Sequence, residues 1–129
     1  MLPGIDGSAV IDGGGGGALA ATISATEVSR TKGSTGADKL VSAGPATVTV
    51  TFGAGGYTYA WVRTAGDAAI TATAPAAASS SFSATFGPEQ TKTATFEVTV
   101  TDASAASLVF SVEVTLTLLF IESGFGAPL

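Results

Sequence analysis

The stretch from Lys92 to Thr101 constrains the fold more than any other part of the sequence. Apolar residues occupy every second position from Ala94 to Val100, and threonine or glutamate occupies the positions between them. Successive side chains of a strand point to opposite faces, so this period of two predicts a β-strand with one buried face. Asp102 ends the strand, and a short Ala-Ser loop follows.

The same alternation recurs along the chain and predicts an antiparallel sheet protein. We predict a long strand from Leu108 to Leu118, a short edge strand at Leu40–Val41, and further strands at 18–27, 46–52, 57–63, 69–74 and 81–86. Glycine and proline mark turns at Gly44–Pro45, Gly53–Gly56 and Gly87–Pro88, and the polar segment Arg30–Asp38 is expected to be a loop or hairpin. No segment has the pattern of a helix of useful length.

Two of these strands carry more detailed expectations. In 46–52 the alternation directs Val48, Val50 and Phe52 inward and the threonines outward. In 57–63 both faces carry bulky side chains, which predicts a central strand. The resulting fold class is an all-β antiparallel sandwich of about seven to eight strands. It would span residues 18–121, with an arm at 1–17 and a tail at 122–129.

Composition excludes several functions. The chain has no cysteine and no histidine, which removes thiol chemistry, the usual general base and the usual metal ligands. Its formal net charge is -5 and its five basic residues form no run, so neither a nucleic acid nor an anionic membrane is an expected partner. Serine and threonine are plentiful, but no residue is present to activate one as a nucleophile. We therefore expect no enzymatic activity and no cofactor.

Acidic and aromatic residues offer three further sites, each with a simpler structural interpretation. Glu97 and Glu113 occupy outward positions of two strands that could be neighbours. They would be either a catalytic carboxylate pair or two solvated surface charges. Asp67 and Asp102 lie in turns, where carboxylates often bind calcium, but no Asp-x-Asp spacing supports that site. The strand Tyr57–Trp61 would serve either as a sugar-stacking face or as part of the core.

The two ends of the chain carry apolar residues in glycine-rich surroundings. Gly13–Gly17 are five consecutive glycines without the Lys-Ser/Thr of a phosphate-binding loop. The arm is interpreted either as a disordered tail or as a flexible tether that orders when it docks on a neighbouring subunit. The tether interpretation assigns partner binding to apolar residues near both ends: Leu2, Ile5, Val10, Ile11, Phe120, Phe125 and Leu129.

The palette of alanine, threonine, serine, glycine and valine is typical of surface proteins, yet the N-terminal residues lack the pattern of a signal peptide. The apolar run Leu116–Ile121 is too short to span a bilayer. A virion protein, assembled in a host cytoplasm and later exposed outside it, fits both observations. A mature chain whose signal has been removed, or an engineered chain, would fit as well.

The region from about Ala46 to Leu118 resembles the immunoglobulin-like and PKD-like β-sandwich domains of bacterial surface proteins and phage virion proteins. Trp61, within Tyr-Ala-Trp-Val, matches the core tryptophan of the third strand, while Val48 or Val50 and then Val98 match the two cysteine positions. Phe96 matches the corner tyrosine but has no hydroxyl, and the PKD turn motif is missing.

Together with the lack of site chemistry, the missing export signal and the apolar residues at both ends, this resemblance predicts a non-enzymatic virion protein that decorates or cements a capsid or tail. Its partners would be other virion proteins, such as a major capsid or tail protein, and it would be a homo-oligomer in the assembly. The alternative function is an Ig-like adhesion or carbohydrate-binding module that uses the Tyr57–Trp61 strand.

Overall fold

The computed structural model describes residues 8–11 and 18–122 of the chain, and these residues form two β-sheets. The strands are β1 (Ser8–Ile11), β2 (Leu19–Ile23), β3 (Glu27–Ser34), β4 (Lys39–Phe52), β5 (Thr58–Gly66), β6 (Thr71–Ala72), β7 (Ser79–Phe86), β8 (Gln90–Thr101) and β9 (Ser107–Phe120). Sheet A has five strands in the order β1-β2-β4-β7-β6, and sheet B has four in the order β3-β9-β8-β5. The described residues contain no helix.

The two sheets enclose one hydrophobic core, which confirms the predicted all-β sandwich. Phe82 of sheet A is fully buried. Its ring centroid lies 5.5 Å from that of Trp61 and 4.8 Å from that of Phe96, and both of these residues belong to sheet B. Such edge-on and tilted contacts are favourable for aromatic rings and add to the area that they bury. This aromatic cluster therefore links the sheets at the centre of the molecule.

The alternation predicted for the last three long strands is confirmed. In β8 the residues Ala94, Phe96, Val98 and Val100 are buried, and in β9 every second residue from Leu108 to Leu118 is buried. β7 buries Phe82, Ala84 and Phe86 in the same way. The register pairs Val98 with Phe110 and Phe96 with Val112, so buried positions of β8 and β9 coincide.

The segment expected to be a polar loop or hairpin at Arg30–Asp38 is instead largely strand, and that expectation was wrong. β3 pairs with β9 from Glu27–Glu113 to Ser34–Phe120, and the pairing is parallel in a sandwich that is otherwise antiparallel. Most of β3 is exposed because it lies at a sheet edge, so few apolar residues mark it in the sequence.

The region predicted as two strands separated by a turn is one strand, β4. The Gly44–Pro45 peptide is cis and forms an irregularity between Ala43 and Ala46, while pairing with β7 continues on both sides. A second irregularity offsets the pairing with β2, since Ala20 pairs with Phe52 but Ala21 pairs with Val50.

This second offset makes the expected inward orientation of Phe52 wrong. A bulge contributes one extra residue, and a shift of one residue moves the following side chains to the other face. Phe52 consequently shares the outer face with its partner Ala20 and is 67% exposed.

Strand β5 was expected to be central but lies at the edge of sheet B. Its bulk on the inner face is Trp61, which is 4% exposed. The loop before β7 covers this part of the edge: Trp61 donates its backbone N–H to Pro75 O at 2.9 Å and its indole N–H to Ala77 O at 2.7 Å. The bulky residue on the outer face, Val62, is 56% exposed, so bulk on both faces did not indicate a central strand.

Candidate docking surface

Three consecutive apolar residues are exposed at the end of β9. Leu119, Phe120 and Ile121 are 45%, 48% and 48% exposed, respectively. Phe120 lies on the opposite side of the strand from Leu119, because successive side chains alternate between faces. We call these three residues together the β9 terminus. It follows directly after Leu118, which is completely buried. Apolar residues in contact with water at consecutive positions are typical of a surface that another molecule covers.

Hydrogen bonds from two neighbouring segments hold the backbone of the β9 terminus. Phe120 donates its N–H to the Glu89 carboxylate at 2.7 Å, and Ile121 donates its N–H to Ser34 O at 2.8 Å. Glu89 lies in the turn between β7 and β8 and has a positive φ of 62°. The β9 terminus is thus a defined part of the sandwich.

A glycine makes room for one of its side chains. Gly33 pairs with Leu119, and a Cβ added at Gly33 would lie 3.1 Å from Cγ2 of Ile121. That distance is shorter than an ordinary van der Waals contact, so a larger residue would displace Ile121. The Ile121 side chain therefore packs over the backbone of β3.

The buried hydroxyl of Ser34 stabilises the connection that follows β3. Ser34 Oγ donates a hydrogen bond to Ala37 O and accepts one from the Gly36 N–H at 3.2 Å. Lys32 donates from its ammonium group to Leu40 O at 2.9 Å. These contacts link the end of β3 to the start of β4 beside the β9 terminus.

Of the seven residues predicted to bind a partner, Phe120 belongs to this surface. Val10 and Ile11 lie in β1, where their backbone partners are Ala20 and Leu19 of the same chain. Leu2, Ile5, Phe125 and Leu129 lie outside the described residues, as does the Gly13–Gly17 run. Leu119 and Ile121 were not selected from the sequence, although the failure of alternation after Leu118 is the signal that marks them.

The aromatic strand does not form an open platform. Trp61 is buried, in agreement with the core interpretation, and Tyr57 and Tyr59 are half-buried and pack against the core. A ring that stacks on a sugar needs an accessible face, which the Trp61 indole lacks. Both tyrosines remain partly exposed to solvent.

The two glutamates considered as a carboxylate pair are on neighbouring strands but are not opposite each other. Glu97 pairs with Ser111, and Glu113 pairs with Thr95, whose hydroxyl is 3.4 Å from Glu113 Oε2. The residue directly opposite Glu113 on its other side is Glu27 of β3. All three carboxylates lie on the outer face of sheet B rather than in a cleft.

The two aspartates considered as a calcium site lie at opposite ends of sheet B, so they do not form a single site. Asp67 is adjacent to Thr93, near the start of β8, whereas Asp102 follows the end of the same strand. Within the described residues no three His, Cys, Asp or Glu side chains converge as a metal site.

Asp102 instead connects two turns at one end of the sandwich. Its buried carboxylate accepts hydrogen bonds from the N–H of Ala54 at 3.0 Å, from Ser104 Oγ at 2.7 Å, and from the N–H groups of Ser104 and Ala106. The bond from Ala54, followed by that from the Ser104 hydroxyl, holds the pKa of Asp102 below its usual value. We call this arrangement the Asp102 clasp.

At the opposite end, Asp67 makes the one ion pair within the described part of the chain. Its carboxylate lies 3.1 Å from the Lys92 ammonium. The Ala69 N–H, followed by Lys92, lowers the pKa of Asp67. The turn after β5 is thereby tied to β8, a structural role for a residue considered as a metal ligand.

A scan against models of protein families found no match, and searches of curated proteins and of solved structures found none either. The described part of the chain contains no helix that is long and apolar enough to span a membrane.

Proposed function

We propose that this chain is a non-enzymatic structural protein of a phage virion, a decoration or cement component of a capsid or tail. It docks on neighbouring virion subunits through its apolar ends and acts without a cofactor. The observation that carries the proposal is the β9 terminus, where three consecutive apolar side chains are about half exposed on a defined backbone. Burial of apolar surface contributes about 25 cal/mol per Å², so three such side chains acting together favour attachment.

The order of the strands supports an Ig-like assignment of the sandwich. In sheet A the succession β2-β4-β7-β6, and in sheet B the succession β5-β8-β9, correspond to the four-stranded and three-stranded sheets of an Ig constant-type domain. Trp61 then lies on the third strand of that pattern, directly opposite Val98. β1 and β3 are additions to it.

The alternative function, an adhesion or carbohydrate-binding module, has less support. It depends on the aromatic strand, and the Trp61 indole is buried with its N–H bonded to Ala77 O. Blue-shifted Trp61 emission that no added sugar changes would agree with the virion proposal. A sugar-dependent change in that emission would favour the alternative.

The virion proposal is tested on particles purified from cells that carry this gene and its phage. We expect the chain in those particles at a constant ratio to the main shell or tail protein. Phe120→Asp places a charge on the β9 terminus and should reduce the amount of chain per particle about tenfold or more, since burying an unpaired charge is costly.

The matched control is Val109→Asp, on the same strand and the outer face of sheet B, where Val109 is 54% exposed. Its incorporation should remain at the wild-type level. Absence of the chain from particles would refute the virion role. Equal incorporation of both variants would refute docking through the β9 terminus.

A further inference from the structure

The outer face of sheet A carries no charged residue. It is formed by the outward side chains of three strands, among them Thr22, Leu40, Thr49, Phe52, Ser83 and Thr85. The single charged residue in the five strands of sheet A is Lys39. Lys39 pairs with the buried Phe86, so it has the inward parity of the strand. We call this surface the uncharged face.

Two large apolar side chains lie on the uncharged face, near the two ends of β4. Leu40 is 55% exposed opposite Thr85, and Phe52 is 67% exposed opposite Ala20. Small serine and threonine side chains occupy positions between them. Depletion of charge around exposed apolar groups distinguishes the centre of a protein interface from free surface.

The charges on the rest of the molecule indicate which partner fits this face. Each copy has a net charge of -5, and the outer face of sheet B carries Glu27, Glu97 and Glu113. Two copies that met through sheet B would place these carboxylates against one another. The uncharged face lets two copies meet with their glutamates on the far sides of the pair, where repulsion is weakest.

We propose that the uncharged face is an interface between two copies of this chain, stacked sheet against sheet. Sheets that pack face to face lie about 10 Å apart. Both ends of β4 carry an apolar side chain, so either direction of stacking places apolar groups against apolar groups. A two-fold arrangement uses the same patch on both copies, which is the commonest form of dimer.

The size of the face predicts a weak dimer. Three strands spaced about 4.8 Å apart, each about nine residues long on average at about 3.3 Å per residue, present about 430 Å². Two copies would bury about 850 Å², which is less than the roughly 1,000 Å² of a stable specific interface. Association should therefore depend on concentration in solution and be favoured where copies are held close together.

Sedimentation velocity of the full chain, from micromolar to millimolar concentration, tests this pairing. The mass should rise from 12.5 kDa toward twice that value as concentration increases. Phe52→Glu and Thr49→Glu each place a carboxylate on the uncharged face and should weaken association about tenfold or more. Both positions are exposed, so Trp61 emission should confirm that the variants remain folded.

Val62→Glu is the matched control, because Val62 is 56% exposed on sheet B and the change adds the same charge. It should associate like the wild type. A chain that stays monomeric over the whole range would overturn the proposal, as would equal weakening by Val62→Glu and Phe52→Glu. Phe120→Asp should leave this dimer intact, so failure of the pairing and failure of docking through the β9 terminus are separable.

Discussion

The outer faces of the two sheets follow the same alternation but carry different chemistry. On sheet B the outward positions include Glu27, Glu97 and Glu113, whereas on sheet A they are hydroxyl-bearing or apolar. Both sheets contribute buried apolar residues to the core, among them Val48 and Phe82 of sheet A and Val98 and Val112 of sheet B. The difference therefore has no role in forming the core. The outward positions are therefore free to differ in chemistry between the two sheets, because they do not contribute to the core.

The comparison depends on Phe52 lying on the outer face of sheet A and Phe82 on its inner face. Substituting each of them is the most severe test of the comparison. Phe82→Ala removes the ring between Trp61 and Phe96 and should lower the free energy of unfolding by about 3–5 kcal/mol. Phe52→Ala removes the same atoms from an exposed position and should change the free energy of unfolding by less than about 0.5 kcal/mol. Urea unfolding followed by circular dichroism measures both.

Similar losses for the two variants would contradict the outward position of Phe52. The bulge between β2 and β4 would then not exist as described, and the uncharged face would lose one of its two apolar groups.

The Asp102 clasp, at the end of the sandwich opposite the Asp67–Lys92 ion pair, is expected to show an intermediate effect. Asp102→Asn keeps the shape of the side chain but replaces the charged acceptor of the Ala54 N–H by a neutral amide. Hydrogen bonds to a charged acceptor are stronger, so the free energy of unfolding at neutral pH should fall. The folded-state pKa of Asp102 is lowered from 3.8, so the carboxylate stabilises the fold above that pH and this contribution is lost as the pH falls through the folded value.

Urea midpoints measured between neutral pH and pH 2 should therefore decline less steeply below about pH 4 in Asp102→Asn than in the wild type. Ser104→Ala removes one of the four hydrogen bonds to Asp102. Its urea midpoint should decline with a steepness between those of Asp102→Asn and the wild type. An unchanged slope for Asp102→Asn would mean that the acid sensitivity of the fold comes from other carboxylates.

The smallest effect is expected on the charged face of sheet B. Glu27 and Glu113 are direct partners on β3 and β9, and like charges directly opposite each other destabilise a sheet. Glu27→Lys converts the pair to opposite charges and should raise the free energy of unfolding by about 0.2–1 kcal/mol at low salt. The gain should shrink as salt is added, because both groups are exposed.

Glu97→Lys provides a matched control, since it makes the same change of charge on the outer face of sheet B, opposite Ser111. It should give a smaller gain than Glu27→Lys. A larger gain for the control would show that net charge, rather than the Glu27–Glu113 pair, governs this face.

Sequence reasoning succeeded where one segment carries its own alternation. β7, β8 and β9 were placed correctly, and their buried residues follow the predicted parity. It selected Phe120 for the docking surface but omitted Leu119 and Ile121, because those residues were recognised as breaking the pattern and not as forming a surface. Gly33, which leaves room for Ile121, carries no signal that a single sequence could reveal.

Sequence reasoning failed where a strand depends on a distant partner. β3 is polar and exposed, and it is a strand because β9 offers a parallel edge beside it. β5 was predicted to be central because both of its faces carry bulky residues, yet it is an edge strand. A loop covers that edge and bonds to Trp61 through Pro75 and Ala77. In β4 the pattern continued through Phe52, yet the offset against β2 moved that side chain to the other face.

The sequence by itself determined the all-β class, the lack of thiol and imidazole chemistry, and the inward faces of the long strands. Those properties are local, because alternation follows from the covalent geometry of an extended chain. Only the tertiary structure decided the order of the strands, the side on which Phe52 lies, the role of Asp102 in joining two turns, and the gathering of charge on one sheet. Each of these depends on hydrogen bonds and packing between segments far apart in the chain, and local alternation is the same whichever partner a strand finds.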